Sequence, residues 1–256
     1  MKKLLPSFKI NCKLIHPKRN LKNFVKTNYL FFLFFFGFNF SLVAQNTLNT
    51  VGLTSSTPST VAYSLRKLST SYTGNAVLVR RSSDNATQNI GFTASGLLNE
   101  TALLAFVGTG SGFVQTWYDQ SGFNRHATQT NFANQPRIVN AGVIERQNGV
   151  PSISFTGSSF LTHTSFPTTG FTGYTSNIVA RWTTTGTSQA TIQTLLDNNH
   201  TTTQGFAIQD RPDLSGRPLT FGIAANPSGA GVQDNSLSGN GANRIFTFVA
   251  NSTTIT

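Results

Sequence analysis

Residues Val114 to Gln129, VQTWYDQSGFNRHATQ, decide the fold class. Val114-Gln115-Thr116-Trp117-Tyr118 is strand-like, with apolar and aromatic side chains separated by polar ones. It runs directly into Asp119-Gln120-Ser121-Gly122-Phe123-Asn124, a stretch dense in turn formers, and then returns to short polar–apolar alternation. Such a segment is a strand that buries one face, followed by a polar loop at the end of a sheet. That pattern belongs to a β-sandwich.

The flanking sequence repeats it. Short runs suited to strands occur at 76–80, 112–118, 136–139, 151–155, 176–182, 204–209, 219–223 and 245–249, separated by Gly, Asn and Ser. Period-two alternation in several of them implies one buried and one wet face, and the abundant Thr suits an exposed sheet surface. Two segments read as short helices. In Ser59–Ser71, Val61, Leu65 and Leu68 fall at helical spacing behind Ser59 or Thr60 as a cap. In Asn99–Phe106, Asn99 caps Leu103, Leu104 and Phe106, and Gly108 ends the run. No Gly-rich loop joins a strand to a long helix, so nucleotide-binding α/β folds have no support. The expected class is all-β, a jelly-roll β-sandwich of two antiparallel sheets with one or two short helices near the N-terminus.

The ends of the chain change its charge balance. Residues 1–44 hold eight of the 19 Lys and Arg and none of the eight Asp and Glu, and they finish in the apolar run Tyr29–Phe40 before Ala44. A basic region, an apolar core and a small residue before Gln45 read as a secretory signal peptide. The core is short of the ~20 apolar residues that span a bilayer, so no stable membrane span is expected after cleavage. The net charge of +11 resides mainly in that leader, and the remainder offers no basic tract for nucleic acid. Residues 45–58 read as an extended polar leader and 59–256 as the sandwich. Thr253–Thr256 read as the start of another strand, so the domain is expected to be incomplete at its C-terminus. The one cysteine, Cys12, lies in the leader, leaving no disulfide, thiol nucleophile or thiolate metal site after it. His126, His163 and His200 lack metal-ligand spacing and read as solvated or locally hydrogen-bonded. No metal or cofactor is expected.

Several motifs together carry a family resemblance. Ala62-Tyr63-Ser64-Leu65-Arg66-Lys67-Leu68, Tyr72-Thr73-Gly74, Val79-Arg80-Arg81-Ser82-Ser83-Asp84 and Trp117–Gln129 occur in that order. They resemble the front half of the catalytic domain of fungal-type α-L-arabinofuranosidase B, over roughly residues 59–160. They are also similar to bacterial and phage secreted proteins that join this front half to concanavalin A-like or laminin G-like domains. The resemblance implies a concanavalin A-like (laminin G-like) sandwich. It also implies catalytic carboxylates in the later half, with a nucleophilic Glu in an acidic segment after a middle strand. Here Leu214–Gln233 contains no carboxylate, and the adjacent cysteine pair of the family's sugar pocket is missing. No catalytic role is therefore carried over.

Glycoside hydrolysis needs two carboxylates. By position, Asp197, Asp210 and Asp213 are the candidates, each after a strand, with turn-shaping Asx hydrogen bonds as the alternative use. Trp117, Tyr118, Tyr174 and Trp182 offer stacking faces for a sugar, and Asp119 and Asn124 offer polar contacts. Against this, Trp117 and Trp182 also fit a core, and Asp119 fits a lock on the loop that follows it. Arg80, Arg81 and Asp84 form a paired surface network or a solvated edge. The leading expectation is a secreted or cell-surface carbohydrate-binding or adhesion-type domain whose partner is a polysaccharide or cell-surface glycan. The alternatives are an α-L-arabinofuranosidase-like hydrolase and a structural module of a larger surface protein.

Overall fold

The computed structural model describes residues 46–53, 59–163, 173–181, 193–198, 206–210, 219–223, 231–234 and 244–251. All lie in the unit Ala44–Thr256. The signal peptide proposed for residues 1–44 lies outside the described residues.

Strands dominate, as expected of an all-β chain. The principal sheet holds β1 (Val77–Arg81), β2 (Thr87–Ile90), β3 (Gly112–Trp117), β4 (Ala127–Thr128), β5 (Arg137–Asn140) and β6 (Val143–Ile144). Its order is β2-β1-β3-β5-β6, with β4 also on β3, and every pairing is antiparallel. β3 shows the alternation read from its sequence: Gly112, Val114 and Thr116 are buried, while Phe113, Gln115 and Trp117 are partly exposed. Val77 and Val79 of β1, Ile138 and Val139 of β5 and Ile90 of β2 join Val114 in the core.

One helix covers this core. α1 (Glu100–Val107) begins where Asn99 Oδ1 accepts the Ala102 N–H at 3.0 Å, and Gly108 ends it at φ 65°. Leu103 and Val107 are its buried residues and pack with the sheet's valines. At β3's first residue a side chain would have little room. A Cβ on Gly112 would stand 3.0 Å from Val107 Cγ2 and 3.2 Å from Val79 Cγ1.

The helix expected over Ser59–Ser71 does not form. Tyr63 makes a β-bridge to Asp119 and Arg66 one to Leu97. The Ala62 and Leu68 N–H groups donate to the side chains of Asp119 and Gln120, and the Lys67 N–H donates to the Gly96 carbonyl. Tertiary partners take the amides a helix would have used, and they override a weak local preference. Within the leader expected to be extended, Thr47–Thr50 form a single helical turn, held by Leu48 N–H donating to the Leu68 carbonyl.

Two tight turns escaped the sequence reading. Ala141 and Gly142 (φ 46° and 78°) link β5 to β6, and Asn148 and Gly149 (φ 49° and 78°) link β7 (Arg146–Gln147) to β8 (Val150–Pro151). Two consecutive positive φ values are what a two-residue hairpin requires. The strand expected at 151–155 is thereby reduced to β8 and an isolated bridge from Ser154 to Arg137.

The later strands form two further sheets. β9 (Gly173–Ala180) and β14 (Arg244–Asn251) pair antiparallel along their whole lengths. β10 (Gln193–Asn198), β11 (Phe206–Asp210), β12 (Leu219–Ile223) and β13 (Gly231–Asp234) form an antiparallel meander.

Candidate functional site

The loop after β3 is built around a buried carboxylate. Asp119 is 1% exposed. Its Oδ1 accepts the N–H groups of Ala62 (2.8 Å) and Ser121 (2.9 Å). Its Oδ2 accepts Ser121 Oγ–H (2.6 Å) and the Arg125 N–H (3.1 Å). Gly122 and Asn124, at φ 95° and 56°, let the chain curl back so that Arg125 reaches the same carboxylate. The Asp119 N–H itself donates to His126 Nδ1 at 3.1 Å, which leaves the histidine's proton on Nε2.

Gln120 continues the lock. Its Oε1 accepts the Leu68 N–H at 2.8 Å, and its Nε2 donates to the carbonyls of Ser64 and Arg66 at 3.0 and 2.9 Å. Tyr63 O–H donates to the Arg125 carbonyl, and Arg125 Nη1 donates to the Thr60 carbonyl at 2.7 Å. Residues 60–68 are thus fastened to the loop at many points. Burial, reinforced by the Asp119 charge, pushes the Tyr63 hydroxyl well above the ordinary tyrosine range, against a smaller opposing effect of Arg125. Burial and the Arg125 charge lower the pKa of His163.

Four residues expected to bind a ligand come together here. The Trp117 ring lies 5.6 Å from Tyr63 and packs against the core, and its buried Nε1 has no hydrogen-bond partner among the described residues. Tyr118 sets its ring edge-on to His126 and donates its hydroxyl to Asn89 Oδ1 at 2.7 Å. Asn124 is exposed beside Phe123, on which the Arg125 guanidinium rests at 4.3 Å. Asp119 is enclosed, with both oxygens taken by the chain itself. Of the other two, Tyr174 stands on β9 at the register position opposite Ala250, and Trp182 lies outside the described residues.

Arg80 and Arg81 separate where a common surface network was one of the expectations. Arg81 forks onto Asp84 at 2.8 and 2.6 Å, and that bond holds the Asp84 carboxyl well below the usual carboxylate range. Arg80, one residue earlier on β1, is buried instead.

The carboxylates with described side chains are all engaged. Besides Asp84 and Asp119, Glu100 pairs with Arg146, and Glu145 pairs with Arg137 at 2.7 Å. The chain's other four carboxylates are Asp197, Asp210, Asp213 and Asp234. Asp197 sits on β10 opposite Ala207, and Asp210 closes β11 three residues further along. An odd offset places these two positions on opposite faces of the meander. Asp210 pairs with Leu219, and Leu219 pairs in turn with Asp234 of β13. Asp210 and Asp234 therefore stand in one register row, on one face, two strands apart. Asp213 lies outside the described residues, as does His200. Asp234 was not among the residues nominated from sequence, because cross-strand register leaves no mark in a single chain. No group of three or more His, Cys, Asp or Glu suited to a metal ion occurs among the described residues.

A protein family described as Alpha-L-arabinofuranosidase B, catalytic matches residues 51–206. Among solved structures, a GH54 α-L-arabinofuranosidase soaked with a cyclic sulfate inhibitor is 17% identical, with a TM-score of 0.49 over 76% of this chain and 46% of that one. An arabinofuranosidase complexed with arabinofuranosyl-α-1,2-xylobiose is 18% identical, with a TM-score of 0.48 over 75% of this chain and 45% of that one. The chain thus spans less than half the length of either. No curated protein matches. The family match overturns the expectation of a carbohydrate-binding or adhesion-type domain, because the matched family is a catalytic one. It covers well over half of the 256 residues, and the chain belongs to the catalytic family of α-L-arabinofuranosidase B.

Proposed function

We propose that the chain acts as an α-L-arabinofuranosidase-type glycoside hydrolase, removing arabinofuranosyl side chains from a polysaccharide. The observation that carries this reading is the family match over residues 51–206. The carboxylate inventory narrows the candidates for its chemistry. Asp84, Glu100, Asp119 and Glu145 are engaged by other groups, which leaves Asp197, Asp210, Asp213 and Asp234 as the candidates within these 256 residues. The Asp210–Leu219–Asp234 row is the favoured pair among them. Two strand spacings, about 10 Å between backbones, fall at the outer edge of the roughly 6.5–9.5 Å separation of inverting carboxyl pairs and well outside the retaining one. One carboxyl would protonate the leaving oxygen. The other would activate a water molecule, the role that a wide separation leaves room for.

The strands are further proposed to assemble as a concanavalin A-like jelly-roll sandwich, in keeping with their antiparallel meanders and short helices. Export is proposed from the basic-then-apolar sequence of residues 1–44.

The test is release of 4-nitrophenol from 4-nitrophenyl α-L-arabinofuranoside by the folded protein and by Asp197→Asn, Asp210→Asn, Asp213→Asn and Asp234→Asn. Loss of an essential acid or base should lower kcat by about 10²–10⁴-fold, and the expected losses fall on Asp210 and Asp234. No turnover from folded protein would overturn the function. Full activity in both favoured variants would overturn the assignment of the pair.

A further inference from the structure

We infer that Arg80 and Phe132 form a subsite for a carboxylate-bearing sugar, a uronic acid residue on the polysaccharide. This deepens the hydrolase reading and rests on it for the choice of a sugar.

The inference starts from an unneutralised charge. Arg80 is 5% exposed, and guanidinium groups stay protonated at any physiological pH. Arginines this enclosed are usually paired with a carboxylate. Here the partners are amides. Nε donates to Gln135 Oε1 and Nη1 to Asn85 Oδ1, each at 2.7 Å. The turn after β1 supplies a carboxylate, Asp84, to Arg81 and the neighbouring amide, Asn85, to Arg80. No carboxylate lies within 4.0 Å of Arg80 among the described residues. Burial accordingly lowers its pKa, with no acidic group opposing the shift.

The site is also rigid. The guanidinium is held between two rings, 4.8 Å from the Phe113 centroid and 4.3 Å from that of Phe132. Phe113 is the cross-strand partner of Arg80 on β3. Gln135 is fixed from behind, its Nε2 donating to the Gln129 carbonyl at 2.8 Å. Of the five N–H bonds of the guanidinium, two are used, and Nη2 donates to no group among the described residues. A positive charge with an unused, pre-set fork favours a planar carboxylate. Phe132, in the 3₁₀ turn Phe132–Asn134, remains 51% exposed and offers an apolar ring surface beside that fork. The C–H face of a pyranose fits such a surface. A ligand that satisfies both features carries a carboxylate and a sugar ring together.

The test is binding without turnover. The folded protein is titrated with methyl β-D-glucuronide, methyl β-D-glucoside and sodium acetate, following the NMR resonances of Asn85, Phe132 and Gln135. Saturable shifts with the glucuronide are expected, with roughly ten-fold weaker binding of the uncharged glucoside, the scale of one charge-assisted hydrogen bond. Phe132→Ala should weaken glucuronide binding, with the thermal midpoint measured alongside to show that the variant stays folded. Arg80→Lys keeps the charge but loses the fork and should weaken it as well. Equal binding of glucuronide and glucoside, acetate binding as tightly as the glucuronide, or no saturable shift would each overturn the subsite. Hydrolysis of the nitrophenyl arabinofuranoside in the same preparation is read separately. Failure of the hydrolase reading and failure of the subsite are therefore distinguishable.

Discussion

Asp119 shows how much one side chain can organise. Its two oxygens accept three backbone N–H groups and one hydroxyl, drawn from the loop itself and from Ala62, 57 residues earlier in the chain. Hydrogen bonds to a buried charge contribute more than neutral ones, and removing the acceptor strands every donor at once. Asp119→Ala should cost about 3 kcal/mol or more. That would lower the thermal midpoint by roughly 6–12 °C in a domain of this size. Ser121→Ala, which removes only the hydroxyl donor, should cost about 1 kcal/mol. A midpoint for Asp119→Ala within a degree or two of the wild type would show that the loop is held by something else.

The half-buried tyrosines give a pH dependence at the same scale. Burial, aided by the Asp119 charge, raises the Tyr72 pKa from 10.0 to about 12, and Tyr63 is pushed up further. Both hydroxyls stay neutral in the folded protein at pH values where the unfolded chain has begun to ionise. Their contribution to stability is complete below pH 10 and declines as pH rises towards the folded values. Urea midpoints measured from pH 8 to 12 should fall above pH 10. Tyr72→Phe should flatten that fall, and an unchanged slope would remove Tyr72 from the account.

Among the elements, the contact of α1 with β3 is the tightest. Adding a methyl at Gly112 forces it against Val107 and Val79, and Val139 Cβ stands 3.4 Å away on the third side. Gly112→Ala should destabilise the domain by about 1–3 kcal/mol, as overpacking does. Chemical denaturation reads this directly, and a neutral result would mean that α1 lifts freely from the sheet.

The same elements show what one chain discloses. α1, β3, β12 and β14 were legible because alternation, helical spacing and an Asn cap are local signals. β2 was not, because its burial pattern leaves only Ile90 inside and the rest is polar edge. Ser59–Ser71 carried helical spacing, yet its amides were claimed by Asp119, Gln120 and Gly96 from other parts of the chain. The Asp119 loop was readable because an Asx lock is built within a few residues. The burial of Arg80 depends on Phe113 across the sheet and Phe132 in a distant turn, and the Asp210–Asp234 row depends on register. Neither leaves a trace in local composition.

For the whole molecule, the division of labour follows the chain. The front half supplies the principal sheet, the helix and the locked loop, all with their acidic groups occupied. The meander that follows carries Asp197, Asp210 and Asp234 on its strands. The candidates for the acid chemistry of the proposed reaction therefore stand on the later strands.

The fastening of residues 60–68 by Asp119 and Gln120 has a consequence for where such a domain can work. It joins segments more than fifty residues apart, as a disulfide would, in a chain whose one cysteine is Cys12. A cross-link made of amides and a carboxylate contains no sulfur. It forms without an oxidising catalyst and holds equally well in reducing and oxidising surroundings.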